Sequence, residues 1–266
     1  MRFSSFRPIF ALLALAACSA SCGGGGGGDL SYVPPTTPLS YYNNPANPRP
    51  PATDYIEVSN VLITAVDEYD ETGAGSAGNL FVQDMGADAQ PYCGITVYNP
   101  GFIPPDLRVF TGDVVDVRSP YMEFIGPSSS PFPDGETLPE LSGATVKFRF
   151  EAPTLPAAKV VTPDELYDYA SGRKWMGVLV ELQNVTLYTD LEDDGKGRWT
   201  AKLKLLDMAG RNPGKLPKVA NALYPLQQDT RLNMKQNNVF TIRGIVQYFY
   251  SFSITPRSPD DIQPAQ

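Results

Sequence analysis

Histidine is absent from all 266 residues, and this absence limits the chemistry that the chain can perform. Histidine-based catalytic triads, histidine-ligated zinc and the usual proton shuttle at neutral pH are excluded. Catalysis would have to use carboxylates or lysine, and the candidate carboxylates for general acid–base chemistry are Asp67, Asp84, Asp113 and Asp116. Their spacing identifies no pair that must converge. We therefore expect no catalytic residue, no cofactor and no enzymatic activity.

One glycine-rich motif has a spacing known from nucleotide sites. Residues 73–78 read G-x-G-x-x-G, which binds a pyrophosphate where it joins a strand to a helix. Residues 80–82, Leu-Phe-Val, predict a strand directly after it. A flexible hairpin loop is therefore favoured over a dinucleotide site.

One acidic loop has alternating oxygen ligands. Asp190, Glu192 and Asp194 precede Gly195, as at the start of a calcium-binding EF-hand loop. Ala201 stands where that loop needs a bidentate glutamate, and no flanking helices are predicted. A solvated hairpin with an Asp-Asp-Gly turn is favoured, and calcium at the three carboxylates is the alternative.

The first 18 residues have the pattern of an export signal. Arg2 and Arg7 precede an apolar run over residues 9–17 that is too short to span a bilayer as a helix. Residues 15–18, Leu-Ala-Ala-Cys, resemble the lipobox of bacterial lipoproteins. The resemblance implies removal of residues 1–17 and acylation of Cys18. An ordinary cleaved signal peptide is the alternative.

Residues 18–56 predict a disordered tether between a lipid anchor and a folded domain. Six glycines at 23–28 predict a flexible coil, and the prolines between 34 and 51 predict a stiffer spacer. Cys22 is a second acceptor for lipid, in a poorer context. Ser19 resembles the residue type found in outer-membrane lipoproteins. We expect a lipid-anchored protein of the bacterial cell envelope, in the outer membrane and facing the periplasm or the cell surface.

The charge of the chain is acidic. The net charge is −8, and removal of residues 1–17 leaves 19 basic against 29 acidic side chains. This balance disfavours non-specific binding to nucleic acid or anionic lipid. The expected partners are the membrane, through the lipid on Cys18, and an unidentified protein or polymer. Cys22 and Cys93 can form a disulfide in an oxidising compartment or remain free thiols, and the sequence leaves this open.

The remaining chain predicts short strands separated by turn signals, which is typical of an all-β protein. A capping box, Thr-Pro-Asp-Glu at 162–165, predicts one short helix over 163–170. A phase change at Asn184 predicts a bulge, Gly244 predicts a bend, and Phe249 is out of phase with the apolar residues around it. The predicted strands cover residues 58–66, 80–84, 94–98, 112–124, 137–141, 144–150, 176–188, 198–206, 239–248 and 250–255.

Several of these strand sequences resemble a known domain. Residues 78–84 (Gly-Asn-Leu-Phe-Val-Gln-Asp), 94–98 (Gly-Ile-Thr-Val-Tyr) and 112–117 (Gly-Asp-Val-Val-Asp-Val) resemble the OB-fold-like domain that accompanies bacterial secreted nucleases and phosphatases. Residues 176–180 and 256–262 resemble a second copy. Arg-Ser-Pro at 118–120 departs from the family, and the second copy lacks a clear Phe-x-x-Gln-Asp strand. The resemblance implies two tandem OB-fold-like barrels, over 57–155 and 156–266, with no residues left for a hydrolase domain.

An OB barrel binds its usual ligands on the outer face of its second and third strands. Alternation along the strands predicts which side chains lie there, including outward aromatic rings that could stack on bases or sugars. The alternatives are burial of the aromatic residues against the other barrel and a solvated polar face for the basic ones. The candidate ligand-binding residues are Phe81, Gln83, Tyr98, Arg198, Lys202 and Lys204.

These features favour a membrane-anchored, non-catalytic lipoprotein that acts as an extracytoplasmic binding or assembly module. The alternative is an accessory module that binds extracellular nucleic acid or another polymer through the strand 2 and 3 faces. The acidic charge disfavours nucleic acid.

Overall fold

The computed structural model describes residues 37–73, 77–86, 88–125 and 135–265. The signal sequence, Cys18, Cys22 and residues 74–76 of the glycine-rich motif lie outside these ranges. Within them the protein is mostly β-strand, which confirms the predicted fold class at that level. No helix in these ranges is long and apolar enough to cross a membrane.

The first half of the described chain contains one short helix and seven strands. The helix is α1 (Leu39–Asn43), and the strands are β1 (Tyr55–Val66), β2 (Leu80–Asp84), β3 (Gly94–Tyr98), β4 (Gly101–Ile103), β5 (Asp113–Phe124), β6 (Leu138–Ser142) and β7 (Thr145–Glu151). Five strands pair in the order β1-β2-β3-β6-β5, and β5 pairs back with β1. This pairing closes a five-stranded barrel. Strands β7 and β4 extend the sheet beyond β5.

The second half contains eight strands, and the first of them is β8 (Lys159–Val161). The others are β9 (Leu179–Thr186), β10 (Glu192–Asp193), β11 (Trp199–Lys202), β12 (Lys218–Ala220), β13 (Val239–Tyr248), β14 (Phe252–Thr255) and β15 (Ile262–Pro264). Their order is β10-β11-β12-β14-β13-β9-β8, and β15 pairs with β13. Just beyond β9 and β11, Leu187 and Leu203 form an isolated antiparallel bridge.

Alternating apolar side chains build a separate core inside each sheet. In the first half, Leu80, Val82, Ile95 and Val97 point inward and are buried. In the second half, the alternation in the last hairpin places its aromatic side chains inside, including Phe240 and Phe252, as expected. A fully buried side chain of this size stabilises the fold by about 1.5–3 kcal/mol.

Two local irregularities occur where the sequence indicates them. The register of β9 against β13 shifts between Phe240 and Ile242, and Asn184 has a φ of 51°, as a bulge there requires. A Cβ on Gly244 would lie 2.5 Å from the Thr255 carbonyl oxygen, so β13 and β14 can approach only because that side chain is absent. The prediction at Asn184 is therefore confirmed, whereas Gly244 serves the close approach of β13 and β14 and its predicted bend stays a prediction.

The segment between the halves is more broken than the predicted helix over 163–170. The capping box forms, because the Thr162 hydroxyl accepts from the Glu165 amide and the Glu165 carboxylate accepts from the Thr162 amide. It begins a 3-10 helix over Pro163–Leu166 only. The extended backbone of Asp168 then interrupts it, before α2 (Tyr169–Gly172) and another 3-10 turn, Arg173–Trp175.

The predicted tether ends earlier than residue 56. Leu39 in α1 is buried against the barrel, and the amides of Leu39 and Ser40 donate to the Asp84 carboxylate at 2.8 and 2.9 Å. The Asn43 side chain donates to the Gly94 carbonyl at 2.6 Å. The apolar Leu39 side chain and these acceptors for the otherwise unpaired helix amides explain why a proline-rich segment docks here.

Two glycines allow the backbones of the two halves to touch. A Cβ on Gly94 would lie 2.4 Å from the Gly177 carbonyl oxygen, and a Cβ on Gly177 would lie 2.5 Å from the Ile95 nitrogen. Gly177 also has a φ of 73°, which side chains disfavour. Beside this contact the Leu179 amide donates to Gln83 Oε1 at 3.2 Å.

A buried ion pair joins the halves at a second place. Arg173 donates from Nη2 to Glu123 Oε1 at 2.7 Å and from Nη1 to Oε2 at 3.2 Å. The hydroxyls of Tyr121 and Thr137 also donate to this carboxylate. Burial alone would raise the pKa of Glu123, but the hydrogen bonds from Arg173 and Thr137 outweigh it and lower the pKa below its ordinary value. The Glu123 carboxylate is thus fully paired, whereas Nε of Arg173 is buried with no hydrogen-bond partner among the described residues.

We expect Gly177→Ala to lower the free energy of unfolding by about 3–5 kcal/mol, because it adds a backbone clash to an unfavourable φ. The matched control is Gly210→Ala, since Gly210 has a φ of 69° but no atom within 4 Å of an added Cβ. It should cost about 1–2 kcal/mol. Urea unfolding measures both values, and equal losses would contradict the close contact at Gly177.

Candidate functional site

A cleft of about 510 Å³ lies between the two sheets. Its first wall is the outer face of β2, β3 and β6. Phe81 pairs with Thr96, and Thr96 pairs with Glu140, so these three residues share one face. Their neighbours along the strands, such as Leu80 and Leu141, fill the barrel core.

The second wall is the outer face of β11, β12 and β14. Thr200 pairs with Ala220, and Lys218 pairs with Ser253 on the parallel strand β14. The intervening Val219 points into the core of the second half. The outer faces of the two sheets therefore oppose each other across the cleft. The complete lining is Asp67, Glu71, Asn79, Phe81, Thr96, Tyr98, Phe124, Leu138, Glu140, Arg198, Thr200, Lys218, Ala220, Asn221, Ala222, Gln247, Tyr248, Phe249, Ser251 and Ser253.

Three of the six candidate ligand-binding residues line this cleft. They are Phe81, Tyr98 and Arg198. Lys202 points to the same side as Arg198, but it lies outside the lining, and Lys204 is exposed beyond the end of β11.

Phe81 and Gln83 lie on the predicted outer face, but they are not exposed there. Phe81 is 3% exposed, in a small apolar cluster that contains Leu179 and Ile245 of the second half. Gln83 is 1% exposed and holds the Leu179 amide. The second sheet covers this part of the face. Gln83 therefore joins the two halves, and Phe81 packs mainly between them at the floor of the cleft.

Two aromatic rings stand open on opposite sides. Tyr98 is 50% exposed on β3, and Phe249 is 52% exposed just after β13. Phe249 is the residue whose phase disagrees with the apolar alternation of the last hairpin, and its exposure explains that disagreement. Both rings are placed to stack on a planar or apolar part of a ligand.

The first wall carries acidic groups. Asp67, which follows β1, is 8% exposed, and its Oδ1 accepts no hydrogen bond from any described residue. Burial, with a smaller contribution from the negative charge of Glu71, raises the pKa of Asp67 to about 7. Burial also raises the pKa of the half-buried Glu140 above its ordinary value.

The second wall carries basic groups. Lys218 and Lys202 stand directly opposite each other on β12 and β11. Burial and, secondarily, the charge of Lys202 lower the pKa of Lys218. Arg198 lies on the same face and contacts only Asp194, at 3.7 Å. A face built in this way attracts anions.

Three titratable cleft residues with shifted pKa values, Asp67, Glu140 and Lys218, do not emerge as one site from the sequence. Asp67 was a candidate only as an isolated carboxylate. Glu140 and Lys218 were not singled out, because β12 is a three-residue strand with no alternation long enough to detect. Strand periodicity also does not show which faces of the two sheets oppose each other, because that depends on contacts between residues far apart in the sequence.

The acidic loop at 190–195 is a hairpin turn whose carboxylates bind the protein itself. Asp190 contacts Lys235 at 3.0 Å, and Asp194 accepts from the Lys196 and Arg198 amides. Among the described residues no group of three or more acidic, cysteine or histidine side chains is arranged to hold a metal ion.

Cys93 has a free, buried thiol at the start of β3. Burial raises its pKa to about 12, so the thiolate is scarce at neutral pH. Its position in the interior is that of a structural, unreactive cysteine.

No protein-family model matches the chain, and no curated protein matches it significantly. The physical features of the cleft are therefore the basis for its interpretation. Large concave sites with a few convergent polar groups and perturbed pKa values are typical of ligand binding.

We expect Asp67→Asn to change how stability depends on pH. The pKa of Asp67 is raised in the folded protein, so its stabilising contribution is complete below about pH 4 and is lost as pH rises through about 7. Asparagine resembles the protonated form at every pH. The variant should match the wild type at acidic pH and exceed its free energy of unfolding at alkaline pH.

Urea unfolding across this pH range measures the effect. Asp106→Asn, at an exposed loop position, is the matched control and should keep the wild-type pH dependence. An unchanged pH dependence in Asp67→Asn would show that Asp67 titrates normally.

Proposed function

We propose that this protein is a lipid-anchored, non-catalytic binding module of the bacterial cell envelope, and that its ligand occupies the cleft between the two sheets. The observation that carries the proposal is the opposition of two outer sheet faces, each of which contributes exposed or unpartnered groups to one concave space. Among the described residues no serine or threonine hydroxyl in the lining hydrogen-bonds to a carboxylate or an amine that could activate it, so the arrangement favours binding over chemistry.

We propose further that the two halves are tandem OB-fold-like barrels. The first half has the strand order β1-β2-β3-β6-β5. The second half, read from β9 across the bridge to β11, has the order β9-β11-β12-β14-β13. In both orders the third and fourth strands, β3–β6 and β12–β14, form the one parallel pair. The bridge between Leu187 and Leu203 supports closure of the second barrel between β9 and β11. The walls of the cleft are then the equivalent ligand faces of the two copies.

The lipid anchor is proposed from the Leu-Ala-Ala-Cys segment that ends at Cys18. Acyl chains stabilise attachment by about 0.8 kcal/mol per buried methylene, and two or more chains hold a protein firmly. The ordered chain begins by residue 37, so at most 18 residues separate Cys18 from the fold. The acidic net charge keeps the barrels from adhering to anionic lipid.

Nucleic acid or another polymer is the second candidate ligand. The specific observation in its favour is the row of cations formed by Arg198, Lys202 and Lys218 on adjacent strands. The three acidic side chains of the opposite wall and the overall charge disfavour a polyanion. We therefore favour a small ligand or the end of a polymer over a nucleic-acid strand that runs through the cleft.

Expression in a bacterial host with labelled palmitate tests the anchor. The wild type should incorporate label and fractionate with membranes. Cys18→Ala should lose both properties, whereas Cys22→Ala should keep them. Continued labelling of Cys18→Ala would refute the assignment.

Filling the cleft tests the binding function. We expect fractions of an envelope extract that contain the ligand to raise the melting temperature of the full-length protein. At saturating ligand the rise should be about 5–10 °C. Thr96→Trp places a large ring in the cleft and should abolish the shift.

The matched control is Thr145→Trp, at an exposed strand position outside the cleft, which should keep the shift. If no fraction shifts the wild type, or if Thr96→Trp responds as the wild type does, the cleft is not the binding site.

A further inference from the structure

We propose that the cleft binds a zwitterionic ligand of about dipeptide size, with its cationic group on Asp67 and its anionic group on Lys218 and Arg198. This inference rests on the proposed binding function and specifies its ligand chemistry. It follows from how charge is distributed between the two walls, from groups that have no partner, and from the size of the space.

The charges of the cleft are segregated by wall. The acidic lining residues, Asp67, Glu71 and Glu140, all come from the first half, and the basic ones, Arg198 and Lys218, come from the second. On an ordinary solvated surface, acidic and basic side chains are interspersed. Here each wall has one sign, so a ligand with two opposite charges can satisfy both walls at once.

The opposite charges do not neutralise each other. No salt bridge between described residues joins the two walls of the cleft, although ten such pairs occur elsewhere. Neither Asp67 nor Glu140 contributes to the lowered pKa of Lys218, and no cation contributes to the shift at Glu140. The gap between the walls therefore separates charges that a bridging molecule can pair.

The acidic wall has acceptors that need a donor. Asp67 is more than nine-tenths buried, lines the cleft and has an Oδ1 without a hydrogen-bond donor among the described residues. A buried acceptor left unpaired costs about 1–3 kcal/mol. An ammonium group carries three donors and can satisfy Asp67 Oδ1.

The basic wall and the aromatic rings complete the match. Lys218 is half-buried and can donate to a carboxylate or phosphate, with Arg198 beside it on the same face. Tyr98 and Phe249 are each about half exposed and offer aromatic surface for the apolar middle of the ligand. The volume of about 510 Å³ lies in the range of small-molecule sites and suits a molecule of dipeptide size.

Isothermal titration calorimetry with the dipeptide alanyl-phenylalanine tests the proposal on the full-length protein. The two comparison ligands are its N-acetyl form, which lacks the cation, and its C-terminal amide, which lacks the anion. We expect each modification to weaken binding by at least about tenfold, since each removes a charge-assisted hydrogen bond.

Variants assign each end of the ligand to its wall. Asp67→Asn should weaken the dipeptide about tenfold and leave the already weak N-acetyl form unchanged, because that form has no cation to lose. Lys218→Met should likewise weaken the dipeptide and leave the amide form unchanged. Arg198→Met provides a second test of the basic wall, with milder perturbation of the interior. Lys204→Met, exposed outside the cleft, should leave all three affinities as in the wild type.

Three results would overturn the proposal. They are no binding of the dipeptide at millimolar concentration to folded protein, equal binding of the capped forms, and binding of a neutral disaccharide such as maltose that Asp67→Asn and Lys218→Met do not affect. If the dipeptide fails while an envelope fraction still shifts the wild type and not Thr96→Trp, the binding function stands and only the zwitterion is rejected. If the envelope fractions fail as well, both are rejected.

Discussion

The contact between Gly94 and Gly177 is the constraint on which the arrangement of the two sheets depends. With no Cβ on either residue, the start of β3 meets the turn before β9 backbone to backbone, and this distance sets how closely the faces above it can approach. The buried pair of Arg173 with Glu123 adds a directional contact at another point. Two separated contacts of different kinds hold a space between the sheets open at a defined width. A single contact would leave one sheet free to rotate against the other.

Charged side chains are paired where the two halves meet, whereas two charged side chains of the cleft are not. At the joint, Glu123 receives hydrogen bonds from arginine and from two hydroxyls, so that its charge is fully compensated. In the cleft, the side chains of Glu140 and Lys218 make no hydrogen bond or ion pair with any described residue, although both are half-buried. Uncompensated charge is unfavourable for folding alone. Its presence on both walls of one concave space is consistent with the ligand site that we propose.

Much of the fold followed from local pattern, whereas the site depended on distant contacts. Alternation located β2, β3 and β13 to the residue, because each has one buried face. It also placed Phe81 and Tyr98 on the correct side of their strands. Alternation could not predict that Phe81 is buried and Tyr98 exposed, because this difference arises from Leu179 and Ile245 of the other half, which cover Phe81 only. Helix α1 was missed because its proline-rich surroundings are typical of a spacer, and the acceptor that holds it, Asp84, is 45 residues away.

The docking of α1 also determines how the fold bears mechanical load. Any tension that arrives along the chain from before residue 37 is first resisted by the bonds of the Leu39 and Ser40 amides to Asp84 and of Asn43 to the Gly94 carbonyl. These hydrogen bonds would have to break before the force reached β1. One of these bonds ends on the Gly94 carbonyl. A force large enough to break them would therefore also act on the contact between Gly94 and Gly177, which sets the width of the cleft. In the lipid-anchored protein that we propose, strain in the segment before residue 37 would therefore reach the walls of the cleft.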